Sequence, residues 1–225
     1  MFDPGTRWEY GINTDWAGRL VEKVSGLTLE QYFRKNIFQP LGMEDSFFNV
    51  PADKQPRLVK QYQRKEDGSL VEQPRLALNA GGFLSGGGGL FSTAADYLKF
   101  CRALLSGGRS ILKPESVEAM GKNQIGELSL HTFVSLAPQF ARDNVALPGG
   151  LDKFGLGFAL NTKAVEGGRG EGTMAWAGIF NTFFWIDRQK KVCAVLMSQM
   201  SPGLDDGPLR LLEDFDRAVY GWHPR

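Results

Sequence analysis

The hydrophobic period of this chain changes once, and that change restricts it to a mixed fold built in two stretches. Through Lys122 the apolar side chains recur at helical spacing wherever they form a pattern, apart from a polar hairpin stretch; from Phe154 they alternate with small or polar residues, as in a strand. In the first stretch Trp16, Leu20, Val21 and Val24 mark a helix that Thr14 or Asp15 can cap and Ser25-Gly26 can end. Thr28 with Gln31 reads as a capping box for a second helix, with Tyr32, Phe33 and Ile37 as its buried face and Pro40 as its stop. A third helix starts at Ser92 or Thr93, carries Ala95, Leu98, Cys101, Leu104 and Leu105 on one face, and runs to Gly107-Gly108. A short one follows from Pro114 to Lys122.

In the second stretch Phe154, Leu156, Phe158 and Leu160 alternate with Gly155, Gly157, Ala159 and Asn161, which predicts one strand. Residues 173 to 186 and 191 to 199 read as an antiparallel pair turned at Arg188-Gln189-Lys190. Residues 208 to 220 read as a closing amphipathic helix with Leu209, Leu212, Phe215 and Val219 inward. Asp67-Gly68 marks a hairpin turn between short strands at 58 to 64 and 69 to 73. Phe133, Val134, Leu136 and Phe140, in an irregular stretch, serve either as core or as a lid over a cleft, with core the simpler reading. The expected class is α+β: a mainly helical lobe over 1–150, with a glycine-rich cleft edge and the lid-like segment, then an antiparallel sheet portion with a C-terminal helix over 151–225. The two together make one composite domain.

Composition excludes several functions. The 26 basic and 25 acidic residues nearly cancel, leaving no electrostatic footprint for nucleic acid or an anionic membrane surface. No run of about 18 apolar residues is present to span a bilayer. Met1-Phe2-Asp3-Pro4 lacks the basic and apolar regions of a signal peptide; the compartment stays open, with the cytoplasm as default. Cys101 and Cys193 read as small buried hydrophobes, and two histidines with two distant cysteines give no metal-ligand spacing. No cofactor is implied. The run Gly86-Gly87-Gly88-Gly89, with Gly81-Gly82 ahead of it, has neither the Lys-Ser/Thr nor the βαβ context of a nucleotide loop; it reads as left-handed turns and close backbone approach at the edge of a cleft.

Three groups of residues carry the chemical signal. Phe2-Asp3-Pro4-Gly5-Thr6-Arg7-Trp8-Glu9-Tyr10-Gly11 stands ahead of the first helix, Asp15-Trp16-Ala17-Gly18 and Pro40-Leu41-Gly42-Met43 follow, and Trp176-Ala177-Gly178 lies on a predicted strand. Together they resemble the β-lactamase-related serine hydrolases: class C β-lactamases, family VIII esterases and lovastatin-type acyltransferases. The resemblance covers nearly the whole chain and implies a β-lactamase/transpeptidase-like fold. That family carries its nucleophile in a Ser-x-x-Lys helix upstream of the tyrosine, so the expectation is a fold truncated at its N-terminus. It would be catalytically poor alone, and would self-associate or pair with the missing N-terminal segment.

By the same resemblance Tyr10 is the base residue. A phenol with an ordinary pKa near 10 can take a proton from serine only beside cations that lower it, a charge the Ser-x-x-Lys lysine supplies in the family. Trp8 stands beside it as a candidate substrate wall. The family's lactamases show Tyr-x-Asn here; this chain has Tyr10-Gly11-Ile12-Asn13, one residue longer, which offsets Asn13 from the substrate-amide position for which it is a candidate. Trp176-Ala177-Gly178 replaces the Lys-Thr-Gly of penicillin-recognising enzymes. Exchanging that lysine for indole removes the charge that attracts a β-lactam carboxylate, which argues for neutral ester or thioester substrates. Gly178 admits substrate backbone, and the Ile179 N–H would be one arm of an oxyanion hole whose other arm is the serine's own N–H.

Other nucleophiles fit less well. Ser110-Ile111-Leu112-Lys113 matches Ser-x-x-Lys but lies between Gly107-Gly108-Arg109 and Pro114, where one helical face cannot carry both side chains. Ser85 lacks the glycine of a nucleophile elbow, and His131 and His223 offer only a scattered triad. The expected function is therefore the C-terminal part of a serine esterase or transacylase acting on small acyl esters or thioesters. A non-catalytic binding or scaffold module and a β-lactam hydrolase are the alternatives.

Overall fold

In the computed structural model, which describes residues 2–76, 79–130, 135, 137–143 and 149–221, two small sheets are joined by helices. His131, Phe133, Val134, Leu136 and His223 lie outside the described residues; Phe140 is described, and is 45% exposed in a turn rather than in core.

The chain enters α1 (Asn13–Ser25) without a side-chain cap at Ile12, so neither Thr14 nor Asp15 caps it; Asp15 is instead turned to the glycine segment. Gly26 closes α1 in the left-handed conformation, as a helix C-terminus favours. Thr28 and Gln31 form the capping box of α2 (Leu29–Phe33). Pro40 does not stop this helix. The backbone widens into a π-turn over Arg34–Phe38 and continues as α3 (Gln39–Leu41), where Pro40 occupies the first turn and its missing N–H costs little. Gly42 supplies the left-handed end.

β1 (Gln61–Arg64) and β2 (Leu70–Gln73) form the expected hairpin; Asp67 accepts from the Ser69 N–H and hydroxyl, and Gly68 takes a positive φ. α4 (Ala94–Leu105) is capped by Thr93, which accepts from the Asp96 N–H, and α5 (Pro114–Met120) begins on its proline. Ser110 to Leu112 lie in turns between these helices, so the literal Ser-x-x-Lys match is not helical.

Two expected strands prove to be hairpins. The alternation from Phe154 to Asn161 is split into β3 (Leu151–Phe154) and β4 (Ala159–Asn161), because Gly155 passes against the Met120 carbonyl, where no Cβ fits, and Gly157 adopts φ +87. The stretch 173 to 186 is likewise β5 (Met174–Gly178) and β6 (Thr182–Asp187), turning at Ile179, Phe180 and Asn181. β7 (Val192–Leu196) completes a five-stranded sheet in the order β3-β4-β5-β6-β7. The short β8 (Met200–Ser201) leaves that sheet and pairs in parallel with β1. α6 (Asp206–Gly221) ends the described chain.

Each face of the five-stranded sheet carries a helix from a different half of the sequence. On one face Cys101 and Leu104 of α4 and Val117 of α5 pack with Phe158, Leu160, Met174 and Ile186. On the other, Leu212 of α6 packs with Leu151, Ala159, Ala175, Phe183 and Trp185. Leu209, Phe215 and Val219 join that second layer, which is the inward face the helical spacing predicts. Trp185, fully buried, is held by Tyr220, whose hydroxyl lies 3.2 Å from its Nε1, and by the Arg169 guanidinium 4.3 Å above its ring. α1 differs: Gly18 is buried against Gly86, yet Trp16, Leu20 and Val24 are 69%, 62% and 79% exposed.

Candidate active site

Strand β5 brings one end of the sheet to the segment that precedes α1. The Trp176 ring lies 5.6 Å from Tyr10 and 5.5 Å from Phe154, and Phe154 lies 5.3 Å from Trp8. Four aromatic rings from three places in the chain thus form one wall, in the tilted and edge-to-face contacts that aromatic quadrupoles favour. Tyr10 remains about half exposed, and Trp8 and Trp176 are partly covered by one another's neighbours.

The start of α1 is fixed by the glycine segment. Asp15 accepts hydrogen bonds from the Ser85 hydroxyl at 2.7 Å and the Gly87 N–H at 3.1 Å. A Cβ at Gly86 would lie 2.6 Å from the Thr14 carbonyl, so the close approach requires glycine there. Left-handed turns occur instead at Gly81 and Gly82. The pKa of the Tyr10 phenol is raised above its ordinary value, first by burial and then by the Asp15 carboxylate, which disfavours a second negative charge nearby.

Ala177 and Gly178 finish β5, and Ile179 begins the turn with about two fifths of its surface exposed. A side chain at Gly178 would overlap the Thr182 hydroxyl. Among the described residues the Ile179 N–H has no hydrogen-bond acceptor. Of the residues singled out in the sequence, Trp8, Tyr10 and Trp176 meet in one ring cluster, with Ala177, Gly178 and Ile179 continuing from it along the chain. Asn13 is the exposed first residue of α1, and no hydrogen bond among the described residues ties it to the others.

Sequence reasoning missed Phe154, which it placed inside a strand, and Asn181, which holds the turn beyond Ile179. For Asn181 the signal was present: asparagine between apolar runs is a turn residue that tolerates positive φ, and here φ is 60. For Phe154 no local signal existed, since its partners Trp8 and Trp176 are remote in sequence. Among the described residues no group of three or more acidic, cysteine or histidine side chains is placed to hold a metal, and no helix is long and apolar enough to cross a membrane.

Comparison with known proteins agrees with this architecture. A lovastatin esterase from Penicillium rubens is 35% identical over 206 residues, covering 86% of this chain and 51% of that protein. A monacolin J acid methylbutanoyltransferase from Aspergillus terreus is 32% identical over 228 residues, covering 97% of this chain and 55% of its own length. Unliganded simvastatin synthase from Aspergillus terreus superimposes with a TM-score of 0.83 at 31% identity, over 97% of this chain and 56% of that one. EstCE1, a hydrolase with promiscuous acyltransferase activity, shares the fold at a TM-score of 0.74 and 23% identity. The chain spans about half the length of these relatives. Its fold is the helix-flanked antiparallel sheet of the β-lactamase/transpeptidase class, and the Beta-lactamase family profile matches residues 1–218, so the chain belongs to the beta-lactamase family.

Proposed function

We propose that this chain supplies the acyl-site walls of a serine esterase or transacylase acting on ester or thioester substrates, and that a segment bearing Ser-x-x-Lys completes it. The observation that carries this reading is the contact between Tyr10 and Trp176, with the Ile179 turn directly after the same strand. An indole in place of a lysine leaves this position apolar, which suits an uncharged acyl group better than a β-lactam carboxylate. The names of the relatives, an esterase and an acyltransferase, support the same class.

In the completed site the serine oxygen would attack the acyl carbonyl carbon while its proton passes to Tyr10. The oxyanion would be held by the Ile179 N–H and the serine's own N–H. Collapse would expel the alcohol or thiol, which takes the proton back from Tyr10, and leave an acyl-serine. Water or an acceptor alcohol would then release the acyl group by the same steps in reverse order. The direction of the Tyr10 shift fits a division of labour: burial and Asp15 hold the phenol protonated, and the incoming lysine would oppose both.

Two surfaces suit the completing segment. β7 is one of the two edge strands of the five-stranded sheet, and its residues Cys193, Ala194 and Val195 line an apolar groove of about 310 Å³ with Leu98 of α4 and Phe215 and Val219 of α6. Ile12, Trp16, Leu20 and Val24 form an exposed apolar stripe next to Tyr10. An unpaired edge and an apolar face are what a strand and a helix of the segment would cover.

The test is turnover of short-chain nitrophenyl esters, with fluorophosphonate labelling, by the chain alone and after addition of a relative's N-terminal segment. The expected result is no turnover alone and hydrolysis on addition, lost when the added serine is changed to alanine. Stoichiometric labelling of a serine of the chain itself, with hydrolysis abolished by its mutation, would replace this reading with a resident nucleophile.

A further inference from the structure

The turn carrying Ile179 is held by several restraints beyond those of a hairpin, and a buried side chain, Asn181, makes three of them. Asn181 is 1% exposed and adopts φ 60, a conformation asparagine tolerates better than other side-chain-bearing residues. Its Nδ2 donates to the Met200 and Pro202 carbonyls, both at 2.9 Å, and its Oδ1 accepts from the Asp205 N–H at 3.3 Å. The Ser198 hydroxyl lies 2.8 Å from the Phe180 carbonyl and 3.0 Å from that of Asn181, and the Met200 N–H donates to the Phe180 carbonyl. Gly203 passes so close that a Cβ there would lie 2.9 Å from the Ile179 oxygen and 3.3 Å from its Cα. The backbone from Ile179 to Asn181 is therefore held by residues 198–205, and the Asn181 N–H, donating to the Gly178 carbonyl at 3.0 Å, ties the Gly178–Ile179 peptide to it.

That segment is itself gripped from elsewhere. Asp205, 1% exposed, takes two hydrogen bonds from Arg64 Nε, at 3.0 and 2.9 Å, and one from Arg142 Nη2 at 3.3 Å. The Arg142 N–H donates to the Gly203 carbonyl, and the Gly203 N–H donates to the Phe140 carbonyl. The β1–β2 hairpin and the 140–142 segment thus reach the 198–205 segment twice, by backbone bonds at β8 and Gly203 and by their arginines at Asp205.

We propose that Asn181 is a positioning residue that sets the direction of the Ile179 N–H, and that Asp205, held by Arg64 and Arg142, makes that direction depend on the β1–β2 hairpin and the 140–142 segment. The catalytic meaning rests on the proposed acyl-transfer reading; the positioning itself does not. A hub confined to general stability would lower the melting temperature without singling out Ile179. Asn181→Gly separates the two, because glycine keeps the positive φ while deleting the three side-chain bonds.

The decisive measurement is ¹⁵N relaxation of the full chain. The Ile179 order parameter is expected near 0.85 in the parent and below about 0.6 in Asn181→Gly, with the amides of β6 and β7 unchanged. Arg142→Ala is expected to shift the Ile179 resonance in the same direction by a smaller amount. An Ile179 amide that stays rigid in Asn181→Gly overturns the positioning role, and one indifferent to Arg142→Ala overturns the contribution of the Arg142–Asp205 pair. In the complex with a Ser-x-x-Lys segment, Asn181→Gly should lower kcat at least tenfold with KM unchanged. Loosened Ile179 with unchanged kcat would remove the oxyanion role and with it the acyl-transfer reading of this turn, leaving the positioning intact.

Discussion

Two helices with the same kind of sequence pattern meet opposite fates in this molecule. In α6 the apolar stripe Leu209, Leu212, Phe215 and Val219 lies on the sheet, with Leu212 2% exposed. In α1 and at the residue just before it, Ile12, Trp16, Leu20 and Val24 face solvent. Periodicity tells how a helix partitions its side chains, and says nothing of where the covering surface comes from. For α6 that surface is the sheet of this chain. For α1 the contacts within the chain are made by Gly18 against Gly86 and by Val21 against Leu29, Phe48 and Leu84, while Trp16, Leu20 and Val24 stay exposed.

The largest expected effect contrasts a tryptophan from each region. Trp185→Ala empties a fully buried site and removes the ring under Arg169, so urea unfolding should show a loss of about 3–5 kcal/mol. Trp16→Ala, at 69% exposure, should change stability by no more than about 0.5 kcal/mol. A Trp16 loss comparable with that of Trp185 would mean that α1 is covered within this chain after all.

The same contrast explains what could be read from the sequence. The α+β class, the capping box at Thr28, the Asp67-Gly68 hairpin and the inward face of α6 all rest on local rules, and the structure follows them. The two split strands failed on the same ground. Gly155 and Gly157 fit an alternating pattern as small residues, but the positive φ of Gly157 and the approach of Gly155 to Met120 make a turn, and only tertiary contact reveals it. Of the candidate site, the aromatic identity of Trp8, Tyr10 and Trp176 was legible through a family resemblance. Their convergence with Phe154 depends on strand order, which no local spacing encodes.

Trp176 sharpens the comparison from inside the site. It touches Tyr10 and Phe154 but is only partly buried, so Trp176→Ala should cost about 1–2 kcal/mol, the scale of two aromatic contacts. In the completed enzyme the same change should lower ester turnover at least tenfold. A stability loss in the range of about 3–5 kcal/mol would assign Trp176 to the core instead.

A smaller and more local readout comes from the thiols. Cys101 is fully buried on the sheet face of α4, with its pKa pushed up by burial, and should resist iodoacetamide in the native state. Cys193, on the edge strand and half-buried, should react slowly, its pKa raised by burial and opposed by Arg102. Adding the Ser-x-x-Lys segment should slow Cys193 alkylation further if its strand pairs with β7; an unchanged rate would place the segment elsewhere.

The smallest effect tests the protonation state of Tyr10 beside α1. Burial and Asp15 raise the Tyr10 pKa, so the folded chain binds its proton more tightly than the unfolded chain does. The stability tied to Tyr10 is then fully present below the ordinary phenol value near 10 and declines as pH rises through the folded value. A difference titration of the chain against Tyr10→Phe, followed by phenolate absorbance, should place the midpoint above 10. Asp15→Asn should bring it down only in part, since burial is the larger cause. Addition of the Ser-x-x-Lys segment should lower it further, as an ammonium beside the ring favours the phenolate. A midpoint at or below 10 in the chain alone would show that the site is already poised for proton abstraction, and the proposed role of an added lysine would fail.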